Sequence, residues 1–362
     1  MGPVVRAMRR PERRNVWVVS RKHPPSVGGM ESLSFHLAQA LRRARPTTVV
    51  AFGGSKLGLV WFLPYALGRV LVGLVSKRIS ALYLGDPALA VLGALARRFG
   101  VPVLVTVHGL DIEWPSHLYQ AYLSRFFLEQ CDVYVCISAH VRRRLQALGV
   151  RENLIEVIPV GIALPPPEFE ALPIEGDPVI AYVGRLVVRK GAAWFIREVM
   201  PALCLRFPEL VLVVAGEGPE DQAITDAVRA AGIQSHLRMM GKVPEPAKWA
   251  LYDRCDLVVM PNISVGGDVE GFGLVALEAS AMGKPVAASE LEGLCDSVVP
   301  GTNGWHLPAG NAAAWIEGLT AILRDRSALT LVGRQARAFA CQFDWRIIGE
   351  RHVSLVARFG AK

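Results

Sequence analysis

Four charged side chains have the types and spacing that suit phosphate and sugar chemistry. Arg185 and Lys190 flank a short loop that closes at Gly191. Two fixed cations beside a helix start suit a diphosphate whose charge grows as it departs. Glu270 precedes the turn Gly271-Phe272-Gly273, which feeds an apolar helical stretch and offers open backbone N–H groups to an anion. A carboxylate at that point can accept hydrogen bonds from hydroxyls. Glu278 sits among Val275, Ala276, Leu277, Ala279, Ala281 and Met282. A charge in so apolar a setting needs polar partners, and sugar or ribose hydroxyls are suitable ones. Any single charged residue near a loop usually just faces water. The argument rests on their recurrence after successive strand patterns, together with Gly28-Gly29, His108-Gly109-Leu110-Asp111 and Gly216-Glu217-Gly218.

The elements that position these residues read as alternating strands and helices. Strand patterns cover residues 16–19, 48–52, 80–84, 103–107, 132–137 and 155–160, with helical stretches between them, the first over 30–41. Residues 163–178 hold five prolines and four acidic residues with no sustained period, and read as a linker. The pattern then restarts. Strands are expected at 179–183, 210–215, 237–240, 257–260 and 285–288, and helices at 192–206, 221–230, 246–254, 272–282, 312–324 and 328–339. Two doubly wound α/β domains follow, and ligands in such sheets collect at the carboxyl ends of the strands.

The chain has 362 residues, of which 52% are apolar, enough for two domains. Its net charge of +8 is uneven, with 21 Lys and Arg against 11 Asp and Glu in residues 1–170. A large anionic partner should therefore meet the first half. No basic and aromatic stripe or nucleic-acid module is present, so an anionic membrane surface or a phosphate-bearing acceptor fits better than nucleic acid. Residues 57–75 are almost unbroken apolar sequence containing Trp61, Phe62 and Tyr65, interrupted by Pro64, Arg69 and three glycines. They read either as a buried crossover or as a surface segment dipping into a bilayer interface, with Arg69, Lys77 and Arg78 meeting lipid phosphates. A spanning helix fits the central breakers poorly. The six cysteines form no CxxC pair and no metal-ligand spacing with histidine, which suits reduced cytosol. Arg6, Arg9, Arg10, Arg13 and Arg14 are not followed by a signal-peptide apolar core.

The stretch from Glu270 through Gly271-Phe272-Gly273 to Glu278, with Ala281-Met-Gly-Lys-Pro-Val286 behind it, resembles the motif of glycosyltransferase family 4, two glutamates separated by seven residues. Gly184-Arg185-Leu186 with Lys190-Gly191 resembles its donor-phosphate segment. Gly28-Gly29, His108-Gly109, Ser138, Pro159-Val-Gly161 and Gly216-Glu217-Gly218-Pro219 add to the likeness across residues 15–340. The resemblance implies a GT-B fold: two Rossmann-like domains facing across a deep cleft. It implies an acceptor-binding domain over residues 1–166, a linker over 167–178, a nucleotide-sugar domain over 179–340 and a C-terminal helix over 341–362 returning to the first domain.

By the same resemblance Glu278 holds the ribose hydroxyls, and Arg185 and Lys190 the diphosphate. Glu270 with the backbone of Phe272 and Gly273 holds the donor sugar, and His108 touches the transferred sugar. Gly28, Gly29 and Gly216 leave room for the donor. Where an Asn-Gly pair is usual in the family, this chain has Val160-Gly161, and Val160 offers no amide side chain. The implied reaction is retaining transfer from a nucleotide sugar to a lipid-linked or glycan acceptor, without metal or carboxylate nucleophile. The expected location is peripheral, on the cytoplasmic face of the membrane. A phosphorylase-like or epimerase activity is the nearest enzymatic rival, and a dehydrogenase lacks its glycine spacing and ribose-reading acid. The rival of another class is a glycan- or membrane-binding protein without catalysis, which leaves the phosphate and glutamate set unexplained.

Overall fold

The computed structural model describes residues 14–26, 28–54, 58–266 and 270–359. Arg6, Arg9, Arg10, Arg13 and Leu57 lie outside them. The chain forms two compact units, one of residues 1–137, 142–158 and 349–362, the other of residues 138–141 and 159–348.

Unit 1 holds six parallel strands, β1 (Asn15–Ser20), β2 (Thr47–Ala51), β3 (Ile79–Leu84), β4 (Val103–Val107), β5 (Val133–Cys136) and β6 (Ile155–Val157), in the order β2-β1-β3-β4-β5-β6. Central β4 reads VLVTV and is buried throughout, as a parallel strand covered on both faces must be. Edge strands β2 and β6 are only half-buried. Helix Gly29–Ala44 returns the chain from β1 to β2 and buries Leu33, Leu37 and Leu41, spaced four apart on one face.

Unit 2 repeats the plan with β7 (Val179–Val183), β8 (Val211–Ala215), β9 (Leu237–Gly241), β10 (Leu257–Met260), β11 (Val286–Ser289) and β12 (Gly304–Leu307), all parallel, in the order β12-β11-β10-β7-β8-β9. Residues 163–178 contain no helix or strand. Phe169, Leu172 and Ile174 from this stretch pack against the unit 2 core.

Several expectations need correction. The helix expected over 192–206 is two helices, Ala192–Glu198 and Met200–Arg206. Pro201 cannot donate to the carbonyl four residues back, and it sits in the first turn of the second helix, where no such bond is needed. The helix expected from Phe272 starts at Leu274, because Gly273 takes a left-handed conformation (φ 76°) and puts Phe272 in the turn. Strand β12 was not expected. It is short and is tied in by buried Asn303, whose side chain donates to Ser280 Oγ (3.0 Å) and the Ser297 carbonyl (2.9 Å) and accepts from Val299 N–H (2.7 Å).

The apolar run forms helix Leu59–Val75, with Phe62, Ala66, Val70, Gly73 and Leu74 buried. Phe62 stacks on Phe52 with centroids 5.5 Å apart, so it is a core residue and does not join Trp61 and Tyr65 in a lipid-facing set. Trp61 (77% exposed) and Tyr65 (58%) point away from the unit, together with Val72 and Val75. The crossover reading therefore holds for one face of the helix, and the other face is apolar and exposed. Among the described residues no helix is long and apolar enough to cross a membrane.

Residues 349–359 of helix Trp345–Ala357 and the turn after it belong to unit 1. There His352 is buried, its Nδ1 3.0 Å from the Tyr83 hydroxyl, which in turn accepts from Thr106. Burial, with the nearby Arg351 charge, pushes the imidazole down to about 3. A histidine buried neutral contributes stability that is complete above its unfolded value near 6.5 and is lost as pH falls below it. The stability gap between the parent and His352→Gln, from urea unfolding, should narrow by roughly 1.4 kcal/mol per pH unit below about 6.5. A gap independent of pH would contradict the neutral buried imidazole.

Candidate functional site

In unit 1 the strand order reverses between β1 and β3, so the loops after these strands diverge and open a crevice at their carboxyl ends. Arg21, just past β1, donates from Nε to Asp86 Oδ1 (2.8 Å), just past β3. Asp86 is fully buried, and the same oxygen accepts from Ala88 N–H (2.9 Å). His108 follows β4. Its Nε2 lies 3.1 Å from the Gly85 carbonyl, which can only accept, so Nε2 carries the proton in that contact. The backbone N–H groups of His108 and Gly109 donate to the Asp111 carboxylate at 2.8–3.0 Å. Burial raises the Asp111 carboxyl above its usual range despite the opposing pull of His108 and those N–H groups.

Gly28 caps helix Gly29–Ala44 with extended backbone. A Cβ there would fall 2.4 Å from Glu31 Oε2, and Glu31 is paired with Lys22 at 3.3 Å. The space beside Gly28 is thus taken by the helix's own first-turn carboxylate. Ser138 Oγ accepts from Val141 N–H (3.2 Å), and Gly161 lies against the Trp345 indole.

In unit 2 the reversal falls between β7 and β10. The loops after β7 and β8 meet backbone to backbone. A Cβ on Gly216 would stand 1.8 Å from the Gly184 carbonyl oxygen, and Leu186 N–H donates to the Glu217 carbonyl (3.0 Å). Gly191, left-handed at φ 69°, passes so close to the chain after β10 that a Cβ would lie 1.9 Å from the Pro261 carbonyl oxygen. The structure brings Lys190 and Glu270 together at this junction, Nζ to Oε2 at 2.5 Å. Arg189 Nη1 reaches the same oxygen at 2.5 Å, and Asn262 Nδ2 donates to it at 3.2 Å. The Glu270 N–H donates to the Glu292 carboxylate. Burial pushes the Glu270 carboxyl up, but Lys190 and Arg189 outweigh it and hold it at about 2.

Arg185, on the same loop, is exposed and makes no ion pair among the described residues. Phe272 is buried with its ring 6.1 Å from Phe343, leaving its backbone at the turn. Glu278 has polar partners from the protein itself: Lys248 Nζ at 2.9 Å on one oxygen and the Tyr252 hydroxyl at 3.0 Å on the other. Burial and the Glu278 charge push the Tyr252 hydroxyl far above its ordinary range, so it donates and stays protonated. Burial lowers Lys248, but Glu278 and Glu245 raise it more, and it stays charged.

Arg189, Asn262, Lys248, Tyr252 and Glu292 were not among the expected site residues. Lys248 and Tyr252 are four apart on helix Glu245–Arg254 and so share a face, a spacing that carried a signal. Arg189 adjoins Lys190 and gave none. Among the described residues no group of three His, Cys, Asp or Glu is placed to hold a metal ion.

The model of Glycosyltransferase Family 4 matches residues 15–164, and that of Glycosyl transferases group 1 matches residues 166–339. The GDP-mannose-dependent alpha-(1-6)-phosphatidylinositol monomannoside mannosyltransferase of Mycolicibacterium smegmatis is 29% identical over 282 residues, 74% of each chain. The GDP-mannose-dependent monoacylated alpha-(1-6)-phosphatidylinositol monomannoside mannosyltransferase of Corynebacterium glutamicum is 25% identical over 95% of this chain and 98% of its own. Anabaena HepE in complex with UDP superposes with a TM-score of 0.73 at 19% identity, covering 95% of this chain and 100% of that one, which is a likeness of fold.

Glu270→Gln should cost unit 2 roughly 3 kcal/mol, since it leaves buried Arg189 and half-buried Lys190 without the carboxylate they share. The depressed carboxyl contributes stability above its ordinary value of 4.5 that fades as pH falls toward about 2. Urea unfolding of parent and variant should therefore differ near neutrality and converge in acid; equal stability at pH 7 would contradict the pairing.

Proposed function

The chain belongs to glycosyltransferase family 4 and is a nucleotide-sugar-dependent glycosyltransferase with two Rossmann-like units, and on that premise we propose that it transfers a sugar with retention to a hydroxyl of a lipid-linked or glycan acceptor at a membrane surface. The observation that carries the donor assignment is the charge at the β7–β10 junction. Lys190 and Arg189 converge on Glu270, and Arg185 on the same loop is exposed and makes no ion pair among the described residues. Fixed cations on one loop suit the anionic phosphates of a nucleotide sugar. The N–H groups behind Phe272 and Gly273 would face the same phosphates.

In the reaction the bond from the donor C1 to the phosphate oxygen breaks, the acceptor oxygen bonds to C1 on the same face, and its proton passes to the departing phosphate. Arg185 and Lys190 stabilise the growing negative charge, so a metal is not required. Glu270 is ionised but held by two cations and an amide, which makes it a poor nucleophile and a good fixed acceptor for sugar hydroxyls. Glu278, oriented by Lys248 and Tyr252, meets the ribose. His108, its Nε2 proton committed to Gly85, presents its other ring nitrogen to the transferred sugar.

Two mannosyltransferases of similar sequence carry phosphatidylinositol monomannoside in their names, which supports a lipid acceptor. The outward face of helix Leu59–Val75 supports attachment at the cytoplasmic face of a bilayer, with Trp61 and Tyr65 in the interface and Arg69 beside lipid phosphates.

Lys190→Ala should weaken nucleoside-diphosphate binding by at least about tenfold while shifting the melting temperature little, because Arg189 still pairs with Glu270. Calorimetric titration with UDP and GDP measures this, and unchanged affinity for both would sink the donor assignment. Turnover should persist in excess chelator; complete loss restored only by a divalent ion would contradict the mechanism. Trp61→Ser with Tyr65→Ser should reduce vesicle flotation by at least about tenfold and leave the circular dichroism spectrum unchanged, since both side chains stand clear of the core. Undiminished flotation would end the membrane role of this face.

A further inference from the structure

A cavity of about 950 Å³ opens at the amino end of the unit 1 sheet, bounded by the starts of β3 and the turns that precede β4 and β5. The residues placed in the acceptor-facing crevice, Asp86 and His108, follow the carboxyl ends of β3 and β4. A five-residue strand such as β4 spans roughly 16 Å, so the cavity lies a full strand length from that chemistry.

Four cations line it: Arg14, Lys77, Arg97 and Arg358. The one acidic residue in the wall, Asp132, has a carboxylate oxygen occupied by Val103 N–H at 2.8 Å. Arg97 donates to the Glu129 carbonyl (3.1 Å) and Arg358 pairs with Glu156, but Arg14 and Lys77 make no ion pair among the described residues. Lys77 is held there by the ending of helix Leu59–Val75, where Lys77 N–H donates to the Leu74 carbonyl (3.0 Å) and Arg78 N–H to that of Gly73 (2.9 Å). Its backbone is left-handed (φ 54°), a conformation for which glycine is the usual residue, yet the position carries a cation. Apolar groups complete the opening: Val75 (64% exposed) from the same helix, and Phe99.

We propose that this cavity seats the phosphate headgroup of an anionic membrane phospholipid, with Val75 and Phe99 against its acyl chains, as an anchoring site separate from the acceptor crevice. The pairing of unneutralised cations with an exposed apolar rim selects a lipid phosphate over a free one, since inorganic phosphate would leave the rim unused. The proposal rests on the reading of the outward face of helix Leu59–Val75 as membrane-facing, because Val75 closes that face at the cavity. Lipid held here would fix the far end of the helix while Trp61 and Tyr65 occupy the interface near the carboxyl edge.

The test separates the site from the bilayer. Monodisperse dihexanoyl phosphatidylglycerol, dihexanoyl phosphatidylcholine and inorganic phosphate are titrated into the full chain and three double variants, Arg14→Gln/Lys77→Asn, Arg42→Gln/Arg43→Gln and Trp61→Ser/Tyr65→Ser. Arg42 and Arg43 are exposed at the end of helix Gly29–Ala44 and control for loss of charge alone. Asn tolerates the left-handed backbone, and an unchanged circular dichroism spectrum and urea midpoint report that unit 1 stays folded in each variant. The parent should bind the anionic lipid saturably and more tightly than the other two ligands. Arg14→Gln/Lys77→Asn should lose roughly thirtyfold in affinity, and the other two pairs should change it little. No saturable binding by the parent, equal loss in the Arg42/Arg43 pair, or inorganic phosphate bound as tightly as the lipid would each overturn the proposal. Flotation lost in Trp61→Ser/Tyr65→Ser with lipid titration unchanged supports both readings. A parent that never floats but binds the soluble lipid through Arg14 and Lys77 removes the bilayer-facing helix and keeps the headgroup site.

Discussion

Strands that all run the same way place every carboxyl end on one edge of their sheet, and a central parallel strand cannot keep water on either face. Each unit of this chain accepts that constraint and solves it once. Return helices cover the faces, and strand order reverses at a single point, β1 to β3 in unit 1 and β7 to β10 in unit 2. At the reversal the following loops turn to opposite faces, and only there does the edge open. Arg21, Asp86 and His108 stand around one opening, and Arg189, Lys190, Asn262 and Glu270 around the other. The glycines follow from the same geometry. Loops leaving adjacent strands run within backbone contact, and the carbonyl oxygens of Gly184 and Pro261 occupy the places where Cβ atoms of Gly216 and Gly191 would be.

The two openings use charge differently. Unit 2 gathers cations around half-buried carboxylates, so its charged groups are held in place by one another. An anion entering such a site meets fixed donors and pays little for reorganisation. Glu270 is held by two cations and an amide, Lys190, Arg189 and Asn262, and Glu278 by a cation and a hydroxyl, Lys248 and Tyr252. At Glu278 the two donors take different oxygens, which fixes the plane of the carboxylate. Unit 1 pairs Asp86 with Arg21 but holds Asp111 with the backbone N–H groups of His108 and Gly109, which adds no cation.

Much of this was legible in residue order. Buried parallel strands announce themselves as continuous apolar runs, which is why 103–107 and 179–183 coincide with β4 and β7. Glu270 and Lys190 stood out because each adjoins a glycine turn at a strand end. What the sequence concealed depends on tertiary closure. Arg189 reads as one more basic residue until the loop folds it inward, and Asn262 lies eight residues before Glu270 with no periodic relation to it. Strand β12 is too short to show a period and exists because Asn303 satisfies three buried groups around it. The start of helix Leu274–Ala281 was misplaced by the left-handed Gly273, whose effect on the preceding Phe272 no hydrophobic pattern encodes.

Helix Leu59–Val75 shows where hydrophobicity alone ceases to discriminate. A crossover helix needs one apolar stripe, and this one meets that need with Phe62, Ala66, Val70 and Leu74, while Gly73 brings its backbone against Trp17 and Ile79. Pro64 is tolerated because it lies on the exposed side, where solvent can satisfy the carbonyl it leaves without a partner. Helix Gly29–Ala44 performs the same crossover role in the same unit with Gln39, Arg42 and Arg43 away from the core. Packing on the sheet is therefore compatible with a polar outer face. The apolar outer face of Leu59–Val75 adds nothing to burial within the unit, and the cations that follow it, Lys77 and Arg78, add nothing to the core. A surface that exposes Trp61, Tyr65, Val72 and Val75 around Arg69 and turns basic at its end is matched by an environment that is itself layered, hydrocarbon beneath phosphate.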